Sequence, residues 1–147
     1  MLIPGARWLL LLSVAALGCG GDGHPAPMPM ALLGNYAVQV EANGMVDKNI
    51  LMTVSAAAND RVLLTFTAGI SLVRCDVYGS TMIHLPRQTL HVAHASGTAD
   101  GQATGDGTID AGGSVDLTIH LSTIGISPPD GGDPSGVVDY HVTGARQ

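Results

Sequence analysis

Histidine is the residue type of this chain whose spacing first suggests chemistry. Of the six histidines, His91 and His94 form an HxxH pair, and imidazole nitrogens are common zinc ligands. On a β-strand, however, residues three apart point to opposite faces, and no cysteine or glutamate stands nearby at a suitable spacing. We therefore expect no zinc site at His91 and His94 unless a bulge or a strand end intervenes.

A second pair of histidines lies farther along the chain. His120 shares the polar side of a predicted strand with Asp116, and His141 shares that of another with Asp139. If these strands are neighbours, the two imidazoles could approach each other and bind zinc or copper, whereas the default interpretation is that they are solvated polar residues. We expect no metal and no cofactor. A metal or hydrolytic role would require His91, His120 or His141 to meet an aspartate.

The aspartates are concentrated in glycine-rich segments. Calcium loops share this composition, but the EF-hand pattern with its closing glutamate is absent, and aspartates that hydrogen-bond their own backbone are ordinary turn residues. The GxSxG and HExxH motifs of hydrolases are absent as well. We therefore predict a non-enzymatic protein without catalytic residues. The predicted turn aspartates are Asp100, Asp106, Asp110, Asp130 and Asp133.

The amino terminus has the layout of a secretory signal. Its apolar run over residues 8–17 would measure roughly 15 Å as a helix, too short for a hydrocarbon core of roughly 30 Å. The sequence AALGC at residues 15–19 resembles the lipobox of bacterial lipoproteins, with Ala16 where leucine is preferred. The resemblance implies cleavage between Gly18 and Cys19 and acylation of the Cys19 thiol.

This resemblance also implies a location and a domain organisation. It predicts a helical signal peptide over residues 1–18 and residence in the cell envelope, with the membrane as partner through a lipid anchor on Cys19. In a Gram-negative source the outer membrane is favoured, because Gly20 is not aspartate. Proline and glycine dominate residues 19–30, which predicts a flexible tether, and residues 31–147 are long enough for one domain.

Charge and cysteine content limit the other partners. Six Lys and Arg against twelve Asp and Glu give a net charge of −6, which disfavours binding to nucleic acid. If Cys19 is acylated, Cys75 has no partner for a disulfide, and we expect it to be a small buried hydrophobic residue rather than a nucleophile. The primary functional prediction is an interaction or envelope-structural module whose protein partner the sequence does not identify.

Hydrophobic residues recur with a period of two through the domain, which is typical of β-strands. Clusters of glycine, asparagine and proline separate the segments. About seven to nine short strands predict an all-β antiparallel meander, either a β-barrel or a β-sandwich. The glycine-dense stretch 97–113 is interpreted as hairpin and bulge residues rather than a phosphate loop. The predicted strands are 36–41, 49–57, 62–67, 79–85, 88–94, 103–109, 115–122 and 137–143.

The first predicted strand begins Gly34-Asn35-Tyr36, which resembles the glycine-x-tryptophan start of lipocalins and related calycin barrels, with tyrosine in place of tryptophan. In those barrels a basic residue near the end of the last strand stacks over this ring, and here Arg146 follows the last predicted strand. The resemblance implies a lipocalin-like barrel closed by Tyr36 and Arg146. It also implies an alternative function, binding of a small apolar ligand inside the barrel, which would require a cavity of roughly 300 Å³ or more.

Overall fold

The computed structural model describes residues 30–58, 61–67, 69–123 and 136–147. The predicted signal helix and the tether up to residue 29 lie outside this part of the chain. No helix among the described residues is long and apolar enough to cross a membrane. After a 3₁₀ turn over Met30–Leu32, the described strands are β1 (Gly34–Ala42), β2 (Met45–Ala57), β3 (Arg61–Phe66), β4 (Val73–Tyr78), β5 (Met82–His94), β6 (Gly97–Ile109), β7 (Ser114–Thr123) and β8 (Val137–Arg146).

The strands form a closed antiparallel barrel. Each strand pairs with the next along the chain, and β8 returns to pair with β1, so that closure leaves no free sheet edge. The prediction of an all-β antiparallel meander, and of a barrel rather than a sandwich, is confirmed. The first hairpin turns at Asn43 and Gly44, whose φ angles of 52° and 74° are those of the type I′ turn that suits a twisted hairpin.

Alternation of side chains separates an apolar inside from a polar outside. In β1, Tyr36, Val38 and Val40 are buried, while Gln39 and Glu41 are exposed, because successive side chains on a strand point to opposite faces. The inward residues of all eight strands join in one hydrophobic cluster. The outer face of the barrel is therefore in contact with water.

Side chains fill the interior of the barrel. A void wide enough for a water molecule would leave accessible area on the side chains around it. Met52, Leu64 and Ile119, which come from three different strands, have a relative exposure of 0%. The inside is thus a packed core, which is the common arrangement in barrels of about eight strands.

Strand β5 is one continuous strand where the sequence pattern predicts two. The predicted break between residues 85 and 88 is a β-bulge, because the register with β6 shifts between Leu85 and Gln88. Proline has no N–H to donate, and a bulge is one of the few places within a sheet that accepts it. Pro86 therefore marks an irregularity inside the strand rather than its end.

Strand β4 is missing from the sequence-based prediction, and β6 is longer than predicted. In β4 only Val73 and Cys75 are fully buried, too few positions to reveal a period of two. In β6 the inward side begins with Ala99, Gly101 and Ala103. Because these small residues contribute little apolar signal, the first half of the strand cannot be recognised by its hydrophobic pattern.

The glycines of residues 97–113 fall into two groups. Gly97 and Gly113 have φ angles of 126° and 87° at the two ends of the β6 region, as expected for turn residues. Gly107 instead lies inside β6, in regular pairing with Ile83, where an added Cβ would clash with the carbonyl oxygen of Asp116 on β7. The interpretation of the whole stretch as hairpin and bulge glycines is therefore wrong for Gly107, which allows two strands to approach closely.

Candidate functional site

Arg146 closes the end of the barrel where β1 begins and β8 ends, which we call the base. Its Cζ lies 5.3 Å from the centroid of the Tyr36 ring, and its Nη2 donates a hydrogen bond to the Tyr36 hydroxyl at 2.7 Å. The same nitrogen donates to the carbonyl oxygens of Ala31 and Leu33. The two residues singled out by the lipocalin resemblance thus meet through a cation–π contact and a hydrogen bond.

These contacts fix the segment that precedes β1. The Tyr36 hydroxyl donates to the carbonyl oxygen of Leu32 at 2.7 Å, and the Leu32 side chain is buried in the core. Arg146 holds the carbonyls on either side of Leu32. The chain therefore enters the barrel at a defined place in the base, and Tyr36 and Arg146 position that entry.

Cys75 lies in the core on β4, with a relative exposure of 0%. Burial, together with the neighbouring Asp76 carboxylate, raises the pKa of the thiol from 9.0 to about 12. Because the thiolate is the nucleophilic form of cysteine, this side chain is inert near neutral pH. The structure places Cys75 as a small buried hydrophobic residue.

The raised pKa of Cys75 predicts a loss of stability at alkaline pH. The unfolded thiol ionises near pH 9, whereas the folded protein keeps its proton until about pH 12. Between these values only the unfolded state has released the proton, so the free energy of unfolding falls by about 1.4 kcal/mol per pH unit. Urea denaturation across this window should show the decline.

A Cys75→Ala variant provides the control for this prediction. It removes the titrating group, so we expect the decline of the unfolding free energy above pH 9 to become shallower, whatever the stability at neutral pH. Tyr140, whose pKa burial also raises, leaves a residual decline at higher pH in both proteins. Equal slopes in the two proteins between pH 9 and 10 would contradict the assignment to Cys75.

Among the residues that the structure describes, three histidines on the outer surface each meet an aspartate of the neighbouring strand. The condition for a metal or hydrolytic role, a histidine close to an aspartate, is therefore met at His91 and His120. All of these side chains are at least 40% exposed, so each pair contributes at most about 1 kcal/mol to stability. The Nδ1 to Oδ1 distances are 2.7 Å in His84–Asp106, 2.6 Å in His91–Asp100 and 2.7 Å in His120–Asp139.

Within the described residues, no hydroxyl nucleophile is hydrogen-bonded to one of these paired imidazoles. Ser71 lies beside His91, but its Oγ accepts the backbone N–H of His91 at 3.1 Å. Thr118 Oγ1 contacts an imidazole, that of His141, at 3.2 Å, yet that ring has no hydrogen bond to a carboxylate in this part of the chain. The relay of nucleophile, base and orienting acid that activates a serine or threonine is thus not assembled at either place.

The HxxH pair is divided between the two faces of β5, so its histidines cannot share a metal. His91 is exposed, whereas the His94 side chain is 2% exposed. The Ser96 backbone N–H donates to His94 Nδ1 at 3.0 Å, which leaves Nε2 to donate to the Val40 carbonyl at 2.9 Å. His94 Nε2 also lies 3.7 Å from Asp47. His94 therefore joins two hairpins at the end opposite the base, a role that sequence reasoning missed because its partners are distant in sequence.

The structure tests the predicted roles of some aspartates, whereas the predicted lipidation site lies outside the described residues. Asp110 is a turn residue, since its Oδ1 accepts the backbone N–H of Ser114 at 2.8 Å. The prediction of turn positions is wrong for Asp100 and Asp106, which lie within β6 because that strand is longer than predicted. In the described part of the chain, no three His, Cys, Asp or Glu side chains converge on a possible metal position. Outside the described residues lie Gly18, Cys19, Asp130 and Asp133.

Open grooves lie between strands on the outer surface of the described barrel, and two of them have volumes above 300 Å³. One has a volume of about 320 Å³ and is lined by Ala37, Lys48 and Gly144, among others. The other has a volume of about 340 Å³ and is lined by residues that include Met82 and Asp106. These grooves are shallow features of the polar face and are separate from the packed core.

Comparisons of the chain with protein-family models, with curated proteins and with solved structures found no match. The functional interpretation therefore rests on the residues and on their geometry.

Proposed function

We propose that this chain is an exported lipoprotein, held at the cell envelope by acyl chains on Cys19, whose barrel acts as a non-enzymatic interaction or structural module. The observation that carries the proposal is the apolar run that ends in Leu17-Gly18-Cys19. Each buried methylene of an acyl chain contributes about 0.8 kcal/mol, and two or three chains anchor a protein firmly where one is marginal. In a Gram-negative cell the anchor lies in the outer membrane.

The geometry of the base supports attachment through a tether at one end of the barrel. Arg146 holds the carbonyls of Ala31 and Leu33, so the preceding chain leaves from the base. The twelve residues from Cys19 to Met30 span at most about 40 Å when extended. The tether is therefore attached at the base, and His94 lies at the opposite end of the barrel.

The packed interior favours a surface role over transport of an apolar ligand. A carrier needs a cavity of several hundred cubic ångströms that encloses most of its ligand. Tyr36, Met52 and Leu64 occupy the inside of the barrel with a relative exposure of 0%. We therefore propose that a partner binds to the polar outer surface of the barrel. We propose no catalytic residue.

Mass spectrometry of the protein extracted from membranes tests this proposal. We expect the amino-terminal peptide to begin at Cys19 and to carry acyl mass, and the native spectrum to show the chain without a bound small molecule. An unmodified Cys19 thiol would contradict the anchor, as would recovery of the protein from culture fluid with the leader cleaved elsewhere. A stoichiometric apolar ligand in the native spectrum would favour the carrier function instead.

A further inference from the structure

Charged side chains divide between two adjoining sectors of the outer face of the barrel. Strands β3, β4 and β5 contain three arginines and a single carboxylate, Asp76, which pairs with Arg61 at 2.8 Å. Strands β6 and β7 contain no lysine or arginine. Because β5 and β6 are neighbours, a basic surface and an acidic surface meet along one side of the barrel. The exposed carboxylates of the acidic sector are Asp100, Asp106 and Asp116.

The basic sector includes two arginines that stand side by side. The side-chain amide of Gln88 accepts the backbone N–H of Arg74 at 2.9 Å and donates to its carbonyl oxygen at 2.7 Å, which holds β5 against β4 at this point. Arg87 precedes Gln88 in the bulge of β5, and both arginines are exposed. None of the ion pairs among the described residues involves Arg74 or Arg87. We call these two arginines the basic pair.

The acidic sector contains a groove that suits an arginine side chain. This acidic groove, of about 340 Å³, is lined by Met82, Asp106 and Asp116, among others. Met82 is 60% exposed, and apolar surface of this kind accepts the methylene stem of an arginine. Asp106 and Asp116 are diagonal neighbours in the register of β6 with β7, and a guanidinium group binds carboxylates through its fork of N–H donors.

We propose that the occupant of the acidic groove is the basic pair of a second copy of this chain. Charge complementarity supports this partner, because one chain carries both the arginines and the carboxylates that would neutralise them. The two surfaces lie on the same side of the barrel, so a twofold axis brings each basic pair to the acidic groove of the other copy, and the contact closes as a dimer. The inference names a partner for the polar exterior and therefore rests on the proposed interaction role, but not on acylation of Cys19.

Sedimentation equilibrium of the full-length, membrane-extracted protein in detergent tests the contact. At low ionic strength we expect a dimer of chains, which dissociates in about 1 M sodium chloride because the Debye length falls to about 3 Å. Arg87→Glu and Asp116→Arg should each weaken dimerisation by roughly tenfold or more, because each substitution places like charges opposite one another. Lys48→Glu is the matched control, since it reverses an exposed cation on β2, outside both sectors.

The double variant Arg87→Glu/Asp116→Arg distinguishes a specific pairing from general attraction between charged surfaces. It exchanges the two charges, so that each contact of a twofold dimer again joins opposite charges, and we expect dimerisation to recover. An equimolar mixture of the two single variants should form mixed dimers for the same reason. In such a mixed dimer one contact joins Arg87 to Asp116 and the other joins the two substituted side chains.

Several results would overturn the proposal. These are monomers at low ionic strength, a dimer that persists unchanged in about 1 M salt, unchanged dimerisation in either single variant, and an equal loss in Lys48→Glu. A double variant that stays monomeric would show that Arg87 and Asp116 do not face each other. An acylated chain that stays monomeric would refute the dimer while leaving the proposed anchor on Cys19 intact.

Discussion

The Cys19→Ala variant is expected to lose acylation completely and to accumulate as a precursor that retains residues 1–18. The sulfur atom of Cys19 would form the thioether with the lipid. The lipobox resemblance implies that cleavage follows this acylation. Without acyl chains the anchoring free energy, about 0.8 kcal/mol for every buried methylene, is absent. Metabolic labelling with radioactive palmitate, followed by intact mass measurement, should show label at background and the mass of the uncleaved chain.

Cys75→Ala is the matched control, because these are the two cysteines of the chain. Cys75 is fully buried in the core, so its replacement should leave palmitate incorporation and cleavage unchanged, even if stability falls. Label that persists in Cys19→Ala would contradict the proposed anchor. Normal cleavage of that variant without acylation would instead indicate an ordinary secretory signal.

The Gly144→Ala variant is expected to destabilise the barrel by about 3 kcal/mol, the upper end of the usual cost of overpacking. Gly144 lies on β8 opposite Val38 of β1, in the pairing that closes the barrel. An added Cβ would stand 2.1 Å from the carbonyl oxygen of Ala37 and 2.7 Å from Cα of Val38. Because these are backbone atoms, rotation of a side chain cannot relieve the clash, and the two strands must separate locally.

Gly136→Ala tests whether this effect is specific to the β1 to β8 contact. A Cβ at Gly136 would lie 3.6 Å from Oγ1 of Thr123, an ordinary contact, so stability should change by less than about 0.5 kcal/mol. Thermal unfolding followed by circular dichroism should show a Tm roughly 10 °C lower for Gly144→Ala. A Tm within experimental error of the wild type would show that the strands are not as close as the structure places them.

The strands that could be predicted are those with large apolar residues at every second position. In β7, Val115, Leu117, Ile119 and Leu121 are buried, and this period is visible without the fold. In β6 the inward residues before Ile109 are alanine and glycine, whose burial depends on the neighbouring strands and leaves little trace in hydropathy. Pro86 suggests a strand end by its chemistry, yet the register of β5 with β6 accommodates it in a bulge.

The residues of the candidate sites also differ in whether they could be predicted from the sequence. Tyr36 and Arg146 could be named in advance because a resemblance links the first strand to the last. His94 could not, because its burial arises from contacts with Val40 and Asp47 in a hairpin about fifty residues away in sequence, and hydrophobic periodicity reports only local order.

The sequence by itself determined the properties that depend on local order: an apolar run before Cys19 that predicts a leader, a segment rich in proline and glycine that predicts a flexible tether, and a domain whose period of two requires strands with one buried face. Only the tertiary structure decided how those strands close, that the interior is filled, and that His120 and His141 lie on neighbouring rungs of β7 and β8. The physical reason is that strand alternation is encoded residue by residue, whereas register and packing depend on pairings between distant segments.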